Sequence, residues 1–204
     1  MTDSLINTLL SEPSSLFALI GLLILILGFL RIKHTKITTH TLVYIALMLA
    51  LSVILHMIRL FHMPQGGSVT LGAMVPLLLI SFRYGSGVGY LTGFAYGLIS
   101  LLQDPFILQP VQVLFDYPLP YMVLGIAGYF RKNIYLGAIL AVLARLACHF
   151  ISGIVFFSQY APAGMSPYIY SLLFNASYLI PELVICVIIL RILPTNRLLS
   201  AMKD

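Results

Sequence analysis

Ile134-Tyr-Leu-Gly-Ala-Ile-Leu-Ala-Val-Leu-Ala-Arg-Leu-Ala-Cys-His-Phe-Ile-Ser-Gly-Ile-Val-Phe-Phe157 is an apolar run long enough to cross a bilayer, interrupted by an arginine and a histidine. A span needs roughly 20 mostly apolar residues, so this run reads as a transmembrane helix. Similar runs, bounded by charge, Pro or Gly, lie at 14–31, 39–61, 69–83, 85–102, 111–130 and 171–193. The chain of 204 residues is 60% hydrophobic and 8% charged, whereas a soluble domain carries about a quarter charged residues. Water could not solvate such a surface. An ordinary cytosolic enzyme, a disordered chain and a nucleic-acid binder are excluded together. The net charge of +5 comes from basic residues scattered between apolar runs, which form no basic face. The expected fold is an all-α, polytopic membrane helix bundle with seven spans.

The basic residues orient it. Arg31, Lys33 and Lys36 follow the first run, Arg83 the third, Arg131 and Lys132 the fifth, and Arg191, Arg197 and Lys203 the seventh. All fall on one side if the N-terminus is outside and the C-terminus inside. The tail before the first run has only Asp3 and Glu12 as charges. Its lack of Lys and Arg, with the basic cluster after the apolar run, argues for a permanent span inserted N-out rather than a signal peptide. Cys148 and Cys186 lie within apolar runs and suggest neither a disulfide scaffold nor a zinc site. No Walker A pattern occurs, so any ATP used must be hydrolysed by another subunit.

Small residues recur at helical spacing at Gly85, Gly89, Gly93 and Gly97, and again at Gly125 and Gly128, as in close helix packing. Ala46-x-x-x-Ala50 serves equally for internal packing or for docking a partner helix.

Polar groups inside apolar runs are costly, so the exceptions carry information. Asp116 lies within Pro110-Val-Gln-Val-Leu-Phe-Asp-Tyr-Pro-Leu-Pro-Tyr121 with no basic residue within a turn. It is either a structural partner, as for Arg145, or an acceptor for a ligand donor or cation. Arg145 and His149 share a helix face one turn apart. His149 is either a satisfied core residue or a ligand contact, and Arg145 fits a structural role, as beside Glu182. Tyr117, Tyr121, Tyr160, Tyr168 and Tyr170 gather on the outer side with Asp116, His149 and Asn175. Aromatic faces around a carboxylate suit a flat, cationic, hydrogen-bonding ligand. The segments Pro64-Gln-Gly-Gly-Ser68 and Gln103–Gln109 are placed to close over it.

Four segments then carry a resemblance. They are Pro64–Gly72 with Pro76-Leu-Leu-Leu; Gln112-Val-Leu-Phe-Asp-Tyr-Pro-Leu; Arg145-x-x-x-His-Phe-Ile-Ser-Gly; and Tyr160-Ala-Pro-x-Gly-Met-Ser-Pro-x-x-Tyr-Ser-x-x-x-Asn175. Over about residues 40–193 the sequence resembles the thiamine-specific substrate-binding subunits (S components) of energy-coupling factor transporters. The resemblance implies a six-helix core within residues 39–204, preceded by an extra membrane helix and basic loop within 1–38. It implies a high-affinity thiamine-binding subunit of a vitamin uptake system in the cell membrane, with no catalysis and no cofactor. Asp116 would bind the aminopyrimidine with Tyr170 and Asn175, Tyr117 would lie near the ligand's other end, His149 would pack on the thiazolium, and Phe157 would stack on it. Ala46 and Ala50 would meet a coupling transmembrane subunit energised by two ATPase subunits, and Pro64–Ser68 would form the lid.

Two departures matter. Members of that family commonly stack the thiazolium on a Trp where this chain has Phe156-Phe157, and often carry another Trp in the lid; this chain has no Trp. The other departure is the added first helix. Two rival readings are an S component for another vitamin or a thiamine precursor, and a membrane-embedded enzyme. The second lacks a nucleophile–base pair, a HExxH and a GxSxG.

Overall fold

In a computed structural model the described residues are 13–33 and 35–202, with side chains from Leu16 onward. The acidic tail and Lys203, used above for orientation, lie outside them. The chain forms α1 (Pro13–Lys33), α2 (Thr39–Met57), strands β1 (Arg59–His62) and β2 (Ser68–Thr70), α3 (Val75–Tyr84), α4 (Ser86–Gln103), α5 (Pro110–Asp116) and α6 (Pro118–Met122). A 3-10 segment (Val123–Tyr129) leads to α7 (Ile134–Phe156), α8 (Pro167–Ile192) and a short helix α9 (Thr195–Ala201).

The helical membrane bundle is as expected. Among the described residues, Leu16–Lys33, α2, α7 and α8 are long and apolar enough to cross a membrane. The expected run 85–102 forms α4, and three of the expected runs differ in detail. The run 39–61 stops being helical at Met57, and 69–83 begins as a strand. Residues 59–62 and 68–70 pair antiparallel, with Arg59 opposite Thr70 and His62 opposite Ser68. The turn closes through Met63 N–H donating to the Gly67 carbonyl at 2.9 Å, and Gly66 and Gly67 have φ of +87° and +91°. Only glycine takes that conformation without strain. The run 111–130 is not one helix. It breaks at Tyr117 (φ −120°, ψ −78°), where Pro118 and Pro120 offer no N–H to continue the ladder.

Local chemistry sets the other ends. The Thr38 hydroxyl accepts from Thr41 N–H at 3.1 Å at the start of α2, and Asn133 accepts from Leu136 N–H at 3.1 Å at the start of α7. Pro110, Pro118 and Pro167 stand at first helical positions, where a missing N–H costs nothing.

The glycine row packs inside the protein. A Cβ at Gly93 would overlap the Tyr121 carbonyl, and one at Gly97 would stand 2.6 Å from Pro118 Cα and Tyr117 O. Helix α4 therefore lies directly against the broken α5–α6 segment. The main core, which includes Leu77, Leu78, Tyr96, Leu124, Ala141 and Cys186, is fully buried beneath it. At the other end, α9 folds back so that Arg83 Nε donates to the Met202 carbonyl and Met202 is buried among Ile45, Ile80 and Val88.

Substituting Gly93→Val should overpack this contact and cost about 2–3 kcal/mol, read as a lower unfolding temperature in detergent. The lipid-facing Leu47→Ala should change stability by no more than about 0.5 kcal/mol.

Candidate functional site

Between the hairpin, the broken segment and helices α7 and α8 lies a cavity with about 890 Å³ of space not filled by protein atoms, its mouth included. A concave site lined by aromatic side chains and a few convergent polar groups is the usual form of a small-molecule pocket. Asp116, Tyr117, His149, Phe157, Tyr170 and Asn175 all line this cavity.

Asp116 is the last residue of α5, placed at the helix break, so its carboxylate looks into the cavity rather than along a continuing helix. One oxygen accepts from Gln112 Nε2 at 2.5 Å, and the other stands 3.5 Å from His149 Nδ1. Gln112 precedes Asp116 by one turn on the same face. It also donates to the Phe106 carbonyl at 3.0 Å and accepts from Leu108 N–H at 2.9 Å. One fully buried amide thus fixes both the acid and the rim loop 104–109.

His149 has its tautomer set by its neighbours. Arg145 can only donate, and its Nε lies 3.4 Å from His149 Nε2. Nε2 therefore keeps the lone pair, and the ring hydrogen sits on Nδ1, facing Asp116. The Arg145 guanidinium itself lies 4.1 Å from the centre of the Tyr121 ring, a cation–π contact that steadies a buried charge.

Asn175 donates through Nδ2 to the His149 carbonyl at 3.2 Å and the Ser171 carbonyl at 2.9 Å, and accepts from the Tyr178 hydroxyl at 3.0 Å. It ties α8 to α7 and keeps one acceptor lone pair. That tie requires Gly153, since a Cβ there would overlap Ser171 Oγ and stand 3.2 Å from Asn175 Nδ2.

The hydroxyl of Tyr117 is engaged within the protein. It donates to the Asp104 carbonyl at 2.8 Å and accepts from Phe106 N–H at 2.7 Å, so only its ring is free to face a ligand. Phe157 stacks on Phe106 with centroids 5.7 Å apart and planes 26° apart, which makes a two-ring wall. Tyr170 packs on Phe174 at 5.7 Å. Of the outer tyrosines, Tyr168 is 62% exposed and Tyr160 packs behind Phe157; neither lines the cavity.

The hairpin roofs the site. Gln65, Gly66, Gly67, Ser68 and Thr70 face the cavity. Its base is held by Glu182, which accepts from both Thr70 N–H and the Thr70 hydroxyl at 2.5 Å. Its first strand meets the 104–109 loop through Arg59 Nη1 and Asp104 Oδ2 at 3.2 Å. Glu182 is thus a hairpin anchor rather than a direct ion-pair partner of Arg145. Among the described residues, Asp104, Asp116 and Glu182 line the cavity with Arg145; Asp104 is paired with Arg59, which leaves one carboxylate in excess, a balance that favours a cation. Ala46 and Ala50 lie elsewhere, exposed on the outer face of α2.

Sequence reasoning did not reach Gln112, Phe106 or the anchoring role of Glu182. Gln112 had a usable signal, the i, i+4 spacing to Asp116. The others depend on contacts between distant segments.

The model of the family described as thiamine transporter protein matches residues 42–201. Thiamine transporter ThiT of Bacillus subtilis (strain 168) is 39% identical over 171 residues, covering 74% of this chain and 88% of that protein. ThiT of Lacticaseibacillus paracasei is 25% identical over 142 residues, covering 60% of this chain and 71% of that protein. A solved structure of ThiT from Listeria monocytogenes has a TM-score of 0.69 at 24% identity, covering 78% of this chain and 96% of that one.

Replacing Glu182 by Ala should free the hairpin base, because hydrogen bonds to a charged acceptor contribute about 1.5–3 kcal/mol each. Amide exchange should rise across residues 59–70 and stay unchanged in the middle of α7.

Proposed function

The chain belongs to the thiamine transporter protein family, and from that membership and the cavity's chemistry we propose that it is the thiamine-binding subunit of an energy-coupling factor uptake system. It is a multi-pass plasma-membrane protein, and its relatives are transporters rather than enzymes.

The observation that carries the reading is Asp116. Its carboxylate is held by Gln112 on one oxygen and faces His149 with the other, and it borders an aromatic cavity with excess negative charge. Thiamine brings a permanently cationic thiazolium and an aminopyrimidine rich in donors and acceptors. In the proposed complex Asp116 accepts from the aminopyrimidine, with the Tyr170 hydroxyl and the remaining Asn175 lone pair as further partners. The Phe106–Phe157 wall takes the thiazolium face. Phe157 lies in the segment where members of the resembled family commonly carry Trp, and the cation–π attraction of Phe is weaker. Tyr117 acts through its ring and holds the rim loop.

The proposed topology has seven crossings with the N-terminus outside, so that hairpin and cavity open outward. The interrupted α5–α6 segment is tolerated because its irregular backbone lines a cavity and is covered by protein. Ala46 and Ala50, exposed on α2, form the face for a coupling membrane subunit served by two ATPases, which would reorient the loaded subunit and release thiamine inside.

Calorimetric titration of thiamine into the purified protein tests the site. Asp116→Ala and Asn175→Ala should each abolish binding while expression persists; unchanged affinity in both would remove the assignment. Phe157→Trp should tighten binding by about 0.5–1 kcal/mol, two- to fivefold in Kd.

A further inference from the structure

Helix α1 lies outside the family match, which begins at residue 42. Nothing assigns it more than a membrane crossing. Its packing is more specific than an anchor needs. Phe17, Ile24 and Leu25 pack on a buried cluster of Phe115, Leu119 and Cys148. Gly21 lies so close that an added Cβ would stand 2.8 Å from the Phe115 ring and 3.0 Å from Leu114. One turn pair further on, Gly28 faces Met122, and Phe29 meets Phe94 edge-on at 5.0 Å. The opposite face, with Leu23 and Leu27, is more than half exposed.

The target of this packing is the ligand-binding bend. Phe115 precedes Asp116, Leu119 follows Tyr117 by two residues, and Cys148 precedes His149. The bend has little hydrogen bonding of its own. Pro118 and Pro120 donate nothing, and Tyr121 N–H reaches the Tyr117 carbonyl only at 3.5 Å. Segments this short do not hold a helical conformation without tertiary packing. Helix α4 supports the bend through Gly93 and Gly97, and α1 reaches its Phe115 side.

We propose that α1 is a brace that holds the Asp116–Tyr117 bend in its ligand-binding geometry, so that a helix outside the family match sets substrate affinity. This rests on the thiamine-binding reading above only for the affinity arm.

The test uses the full chain with Gly21→Leu, with the double variant Ile24→Ala/Leu25→Ala, and with Leu23→Ala/Leu27→Ala on the exposed face. Amide exchange measured without ligand should rise several-fold across residues 110–122 in the first two proteins and not in the third. Thiamine Kd should rise about tenfold in the same two. Should Gly21→Leu fail to fold, the double alanine variant, which adds no bulk, decides. Unchanged exchange at 110–122, or raised exchange with affinity within twofold of the parent, overturns the brace. Absence of thiamine binding in the parent protein would defeat the proposed ligand, while the exchange arm would still judge the brace.

Discussion

A carboxylate inside an apolar bundle is the constraint around which the rest of this protein is arranged. Asp116 would be costly to bury alone, and the structure surrounds it with an amide, a histidine and a helix break. Gln112 fills one oxygen, His149 offers a ring N–H to the other, and Arg145 fixes which nitrogen carries that hydrogen. Each partner is itself held: Gln112 by the rim loop, Arg145 over Tyr121, and His149 through its carbonyl by Asn175. The acid is thereby oriented before any ligand arrives, which lowers the ordering cost of binding.

The fold supplies this arrangement through close backbone contacts rather than through long uninterrupted helices. Glycines on α4 let the bend at Tyr117 approach, and Gly153 lets α8 reach α7. The break that aims Asp116 also frees Tyr117 to clasp the loop at Asp104 and Phe106. Above them the hairpin is fixed through β2 by Glu182 and tied through β1 by the partly exposed Arg59–Asp104 pair. A partly exposed pair of that kind contributes only about 0–1 kcal/mol, so the buried Glu182 contact is the firmer of the two.

Much of this was legible in the sequence, for physical reasons. Polar residues in apolar runs are rare enough to point at themselves, and Asp116, His149 and Asn175 do converge. The turn at Pro64–Ser68 was readable from its Gly-Gly pair, and the glycine row from its spacing. The strands flanking that turn were not: Arg59-Leu-Phe-His62 is exposed at every position, so it has no alternation of buried and exposed residues to detect. The break at Tyr117 was hidden because Pro118 can also start a helix, and apolarity continued to Tyr129. The hydroxyl of Tyr117 and both bonds to Glu182 depend on residues brought together only by folding. Tyr168 shared the composition of the site without sharing its location.

The central claim is that the Asp116 carboxylate reads the amino group of the aminopyrimidine. Calorimetric titration of oxythiamine, in which that amino group is replaced by an oxo group, tests this against thiamine on the same preparation. A site built to accept from a ligand N–H rejects an analogue lacking it by about 10⁴-fold or more. The account predicts saturable one-to-one binding of thiamine and a loss of at least about 100-fold for oxythiamine, a lower bound that allows for water relieving part of the mismatch. Equal affinity for the two would contradict it.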